Sequence, residues 1–166
     1  GKIIKLSDTI IHLSWNNSLL YADNNPEKSL EEAINPIKYM INMSKKFSIK
    51  TKFIFTSTAS VYGTNSKNSF SENRKVQPIT QYDKNKSLAE SLLKKAHSKK
   101  VIEAICLRLS NVYGPSNALP TSKSRGVFNK MVRTAAKEKK ITLYGNGSYL
   151  RDFIFIDDVV SAIIHS

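Results

Sequence analysis

Three short runs of β-branched and aromatic residues, separated by stretches with helical spacing, restrict this chain more than any other feature. Thr9-Ile-Ile-His-Leu-Ser14, Lys52-Phe-Ile-Phe-Thr-Ser57 and Val101-Ile-Glu-Ala-Ile-Cys-Leu-Arg-Leu109 each read as a buried strand. Between the first two, apolar positions recur at Leu30, Ala33, Ile34, Ile37, Met40, Ile41 and Met43, which is the period of a helix. That helix starts at Asn25-Pro26-Glu27, because proline suits a first helical turn. Pro36 is expected to kink or divide it. A polar loop follows from Gly63 to Thr80. Thr80 with Asp83 three residues on is a capping-box pattern, and the helix it opens runs to Lys99. Strands alternating with helices predict an α/β fold with a parallel sheet and helices on its faces.

The pattern changes after Asn111. Gly114-Pro115 breaks the chain, and Ser116 to Ser124 reads as a loop. A helix is expected from Gly126 to Lys137, a short strand at Ile141–Tyr144 and a turn at Gly145-Asn-Gly147. Phe153 to Ile156 reads as extended, and Asp157 as the cap of a final helix. The division expected is one domain over residues 1–115 and the beginning of a second over 116–166.

Composition narrows the function. At 40% hydrophobic and 23% charged residues the chain reads as globular rather than disordered. No apolar stretch is long enough for a bilayer span and none follows the N-terminus as a signal core, so no membrane partner is expected. A single cysteine, Cys106, excludes an internal disulfide and a cysteine-based metal cluster. His12, His97 and His165 lack ligand spacing, so no metal is expected, and the reducing cytoplasm is the expected compartment. The net charge of +13 comes from 26 basic residues spread along the chain, 21 of them Lys and five Arg. Readers of nucleic acid bases lean on arginine forks, so the charge reads chiefly as solvated faces and disfavours nucleic acid. Attraction of an anionic small substrate is compatible with it.

One constellation carries chemistry. Thr56-Ser57-Thr58 closes the second strand, and Tyr82 and Lys86 stand one turn apart on the following helix. An ammonium beside a phenol is expected to lower its pKa from about 10, which suits it to move a hydroxyl proton near neutral pH. The carboxyl edge of an open α/β sheet is where ligands bind.

The flanking text makes the pattern specific. Phe53-Ile-Phe-Thr-Ser-Thr-Ala-Ser-Val-Tyr-Gly63, Gln81-Tyr-Asp-Lys-Asn-Lys-Ser-Leu-Ala-Glu90, Leu107-Arg-Leu-Ser-Asn-Val-Tyr-Gly-Pro115 and Leu143-Tyr-Gly-Asn-Gly-Ser-Tyr-Leu-Arg-Asp-Phe-Ile-Phe-Ile-Asp-Asp158 occur in that order. The series resembles the extended short-chain dehydrogenase/reductase family, in its NAD-dependent nucleotide-sugar epimerase/dehydratase branch, over nearly the whole chain from Thr9. The resemblance implies a Rossmann-type parallel sheet leading into a smaller substrate-binding domain. It implies NAD rather than NADP as cofactor, a nucleotide-diphosphate sugar as partner, and a homodimer through the two long helices. It makes Tyr82 the base, Lys86 the residue that tunes it and holds the nicotinamide ribose, and Thr58 the catalytic hydroxyl. Leu13, Ser14 and Ser57 would line the cofactor. Asn111, Val127 and Arg151 would meet the nucleotide sugar, with Phe128 beside Val127. Asn111 also reads as a residue that satisfies a turn, and Arg151 as a surface partner of Asp152 or Asp157.

The reaction implied removes a proton and a hydride from one sugar carbon, giving a transient keto-sugar. Family dehydratases carry Asp-Glu directly after the catalytic threonine, where this chain has Ala59 and Ser60. Epimerisation is therefore expected first, with reduction or dehydration as alternatives. A non-catalytic, lysine-rich polyanion-binding module is the alternative of another class. Apart from Gly1, no glycine precedes Gly63, so the family's glycine-rich phosphate loop has no counterpart here. The chain is expected to be an interior part of about half an enzyme, and to bind NAD weakly or not at all by itself.

Overall fold

Lys52–Thr58 (β2) is the middle strand of a three-stranded sheet, with Thr9–His12 (β1) on one side and Glu103–Leu109 (β3) on the other. β1 and β2 run parallel, from Thr9 opposite Lys52 to His12 opposite Phe55. The parallel α/β architecture expected from the alternation is the one that forms. The structure is a computed structural model that describes residues 4, 6–63, 69–115, 127–143 and 150–166. The chain divides into two compact units, Gly1–Arg108 with Ser166, and Leu109–His165.

In the first unit, β2 earns its central place through Phe53, Ile54 and Phe55, none more than 3% exposed. Pro26–Phe47 (α2) lays Ala33, Ile34 and Ile37 on this sheet, and Gln81–Ser98 (α3) adds Ala89, Leu93 and Ala96. Pro36 does not divide α2, which runs unbroken for 22 residues. Pro36 and Glu32 both lie on the exposed side, where water can take the carbonyl bond that proline leaves unmade. A six-residue helix, Leu19–Asn24 (α1), too short for helical periodicity to announce it, forms ahead of α2, and Ser18 caps it by accepting from the Tyr21 N–H. Ala59–Tyr62 makes a single 3₁₀ turn after β2, closed by Gly63 at φ +82°.

The capping box at α3 is complete. The Asp83 N–H donates to Thr80 Oγ1 at 3.2 Å, and the Thr80 N–H donates back to Asp83 Oδ2 at 3.2 Å. Thr80→Ala is expected to cost about 1–2 kcal/mol, read as a lower midpoint in urea unfolding.

The second unit holds a two-stranded parallel sheet of Asn111–Tyr113 (β4) and Phe153–Phe155 (β5). Val127–Glu138 (α4) and Ile156–His165 (α5) accompany it. Tyr113, Phe128, Phe153 and Phe155 form a ring cluster, with the Tyr113 and Phe128 centroids 4.9 Å apart. The strand expected at Ile141 is absent over residues 141–143, because Ile141 and Leu143 are 50% and 64% exposed and find no ladder to join. Tyr144, the turn at Gly145-Gly147, the loop Ser116 to Ser124 and Gly126 lie outside the described residues. Asp157 and Asp158 fall inside the first turn of α5 rather than before it, where negative charge suits the helix dipole.

Candidate active site

Lys86 leaves α3 and reaches the end of β2, where its ammonium donates to the Thr56 carbonyl at 2.7 Å. The side chain is 3% exposed. Its nitrogen sits 4.0 Å from the Trp15 ring centroid, 4.7 Å from that of Phe55 and 5.8 Å from that of Tyr82. Three rings therefore cage one cation, a favourable arrangement once the site is dry. Trp15 binds the cage together, with its centroid 5.5 Å from Phe55 and 6.5 Å from Tyr82, edge-on to the latter at 87°. Trp15 was not among the expected site residues. Its signal was position: it follows His12-Leu-Ser14, at the carboxyl edge of a strand.

Tyr82 and Lys86 share a face as expected, but the phenol is not acidified. Burial, then the charge of Asp83, pushes Tyr82 up to about 12. Burial pushes Lys86 down to about 7, against the opposing field of Glu90. The reason is physical: phenolate and ammonium both lose hydration here, and the ammonium points at a carbonyl rather than at the phenol oxygen. Burial, and secondarily Lys86, also lowers His12, whose Nε2 is buried without a partner.

A dependence of stability on pH follows. The unfolded chain holds the Lys86 proton up to its ordinary value of 10.5, whereas the folded chain releases it from about 7. Above pH 7 the unfolded state thus binds more protons, and stability rises with pH. Cys106, pushed by burial from 9.0 up to about 12, offsets this rise above pH 9, where the unfolded thiol ionises first. Denaturant midpoints are expected to climb from pH 7 to 9 and then level, and a flat or falling profile in that window contradicts these burials.

Thr58 caps the 3₁₀ turn. Its Oγ1 accepts from the Ser60 N–H at 3.2 Å and lies 2.8 Å from Ser60 Oγ. Ser60 Oγ in turn donates to Asp83 Oδ1, and Thr80 Oγ1 donates to Asp83 Oδ2 at 2.7 Å. Because the one Ser60 hydroxyl proton goes to Asp83, the Thr58 proton points at Ser60 and Thr58 meets a ligand as an acceptor. The chain Thr58–Ser60–Asp83 ends on the residue next to Tyr82, so hydroxyl, phenol and ammonium belong to one corner of the first unit. Ser60 and Asp83 were missed as site residues; the capping-box reading of Asp83 was right but incomplete.

Two expectations for the cofactor edge separate. Leu13 is 62% exposed and Ser14 is exposed just past β1, open to a ligand. Ser57 is not: it is 5% exposed and its hydroxyl donates to Glu90 Oε1 at 2.5 Å. Strand alternation turns Ser57 toward α3, away from the face that carries Thr56 and Thr58. Its side chain is a structural tie rather than a cofactor contact. Glu90 also pairs with Arg108, whose Nη2 is 2.6 Å from Oε2.

In the second unit, the Asn111 side-chain amide donates to the Asp152 carbonyl at 2.9 Å, beside a main-chain bond to the same oxygen. It latches β4 to the residue before β5, a contact between strands rather than within a turn. Val127 is 46% exposed at the start of α4, Phe128 packs in the ring cluster, and Arg151 is exposed just before β5.

The chain is 29% identical to a dTDP-D-glucose 4,6-dehydratase from Dictyostelium discoideum over 93% of its own length and 37% of that protein. Among solved structures it resembles a UDP-N-acetylglucosamine 4-epimerase from Methanobrevibacter ruminantium in complex with UDP-N-acetylmuramic acid. The TM-score is 0.84 at 28% identity, covering 98% of this chain and 52% of that one. It also resembles a UDP-glucuronic acid 4-epimerase from Bacillus cereus in complex with UDP-glucuronic acid and NAD. There the TM-score is 0.81 at 27% identity, covering 98% of this chain and 50% of that one. The chain thus spans between a third and a half of its relatives' length. A dehydratase and epimerases match almost equally, so the shared property is the family rather than one reaction. The family's sequence model matches residues 2–166, and the chain belongs to the NAD dependent epimerase/dehydratase family, whose members are NAD-dependent nucleotide-sugar enzymes.

Proposed function

We propose that this chain carries the catalytic residues of a nucleotide-sugar 4-epimerase. The observation that supports it best is the cage in which Lys86, held on the Thr56 carbonyl, stands 5.8 Å from the Tyr82 ring at the carboxyl edge of the sheet. The second support is the pair Ala59 and Ser60 after Thr58, which offers no carboxylic acid for elimination.

The edge suits NAD. Exposed Leu13 supplies apolar surface and Ser14 a hydroxyl two and one residues before Trp15, and Lys86 supplies the cation. When bound, NAD supplies the hydride acceptor and donor. The chain's own residues handle the proton. Thr58, an acceptor, takes a hydrogen bond from a sugar hydroxyl and orients the ring. Tyr82, once ionised, receives on its phenolate oxygen the proton of the hydroxyl being oxidised, and returns it on reduction. A phenol at about 12 needs a positive neighbour for that role, and charged Lys86 is the neighbour available. Arg151 and Val127, both exposed in the second unit, keep the roles the family resemblance implies, a cation for the diphosphate and apolar surface for the base.

Incubating the whole protein with UDP-glucose, UDP-N-acetylglucosamine and UDP-glucuronate in turn, with NAD, tests the reading. Appearance of the C4 epimer by proton NMR is the expected result. A 4-keto-6-deoxy product, or no conversion of any of the three, overturns it.

A further inference from the structure

Glu90 lies one helical turn beyond Lys86 on α3 and is 9% exposed. Its carboxylate receives Ser57 Oγ from β2 at 2.5 Å, and Arg108 Nε and Nη2 from β3 at 3.0 and 2.6 Å. The guanidinium is itself braced over the Tyr62 ring, 4.6 Å from its centroid. A carboxylate held by such donors cannot turn away, so its charge has a fixed place.

A tie between two strands and a helix would explain these bonds alone. Lys86 gives them a second meaning. Its ammonium is buried, its bond to Thr56 goes to a neutral carbonyl, and its other close neighbours are rings. A buried cation needs an opposite charge within reach. Glu90 stands four residues on and on the same face, its carboxylate tied to Ser57 while Lys86 is tied to the neighbouring Thr56 carbonyl.

We propose that Glu90 is a positioning residue of the Lys86 site: clamped by Ser57 and Arg108, its carboxylate is the fixed counter-charge that keeps the ammonium in its ring cage beside Tyr82. This deepens the epimerase reading, on which the importance of Lys86 rests. The charged and titratable groups around the pair are His12 from β1, Tyr82 from α3, and Arg108 and Cys106 from β3, with Lys94 of α3 along the same groove. Glu90 is the group whose field favours charged Lys86 against burial.

The test reads Lys86 directly and needs no turnover. The chain is labelled with ¹³Cε-lysine, and the Lys86 resonance is assigned by its loss in Lys86→Met. Its pH midpoint is then compared among folded variants. Glu90→Gln is expected to move the midpoint toward acid by roughly half a unit to one unit, and Arg108→Met, which unshields Glu90, to move it toward alkali. A mere tie predicts lower stability in Glu90→Gln with the midpoint unmoved. An unmoved midpoint in Glu90→Gln, or shifts of the same sign in the two variants, overturns the proposal. If Glu90→Gln does not fold, Glu90→Asp decides: a midpoint moved toward acid as the shorter side chain draws the charge back supports the proposal, and any other result overturns it. Failure to find an epimerised product leaves this outcome standing, so the two readings fail separately.

Discussion

Tyr82→Phe is expected to lower turnover of the whole protein by roughly 10²- to 10⁴-fold while leaving its melting temperature nearly unchanged. The ring is what the structure uses for packing. It meets Trp15 edge-on at 6.5 Å and forms one wall of the Lys86 cage, and phenylalanine keeps both contacts. The hydroxyl is what the proposed chemistry uses. Among the described residues of the first unit, Tyr62 lies over Arg108 instead. The measurement is the rate of C4 epimer formation by NMR, with thermal melts on the same preparations. Retained turnover would remove Tyr82 from the mechanism, and a collapsed melt would mean the hydroxyl matters for folding instead.

Phe55→Ala is the substitution expected to hurt stability most, by about 3–5 kcal/mol. Phe55 is fully buried in the central strand. It stacks on His12 at 5.9 Å, meets Trp15 at 5.5 Å and lies 4.7 Å beneath the Lys86 nitrogen. Truncation leaves a cavity between sheet and helices that neither rigid neighbour can fill. It also opens the ammonium to water, so the Lys86 midpoint should climb from about 7 toward its ordinary value. Urea unfolding at pH 7 measures the first effect. A loss below about 1 kcal/mol would show that the site collapses without cost.

What could be read from the sequence was whatever depended on neighbours along the chain. The three strands, the start of α2 at Pro26 and the capping box at Thr80 are written in spacings of a few residues, and they formed. What depended on burial could not be read so. The i, i+4 spacing of Tyr82 and Lys86 placed them together, but their protonation answers to lost hydration and to Asp83. Ser57 sat in the right triplet, yet strand alternation gave its hydroxyl to Glu90. Trp15, Glu90 and Arg108 became visible once three separate segments were seen side by side. Ile141 shows the opposite error, an apolar run that reads as a strand where, among the described residues, no partner strand receives it. Pro36 shows that a helix breaker is tolerated on a wet face.

The acceptor that holds Lys86 is main chain, not side chain. Every amino acid carries a carbonyl, so no point substitution at residue 56 can delete this anchor; only a change in the path of β2 can. What a substitution there can remove is the separate bond from Thr56 Oγ1 to the His12 carbonyl at 3.3 Å, so an alanine scan of the strand would read that bond and pass over the lysine's anchor without registering it.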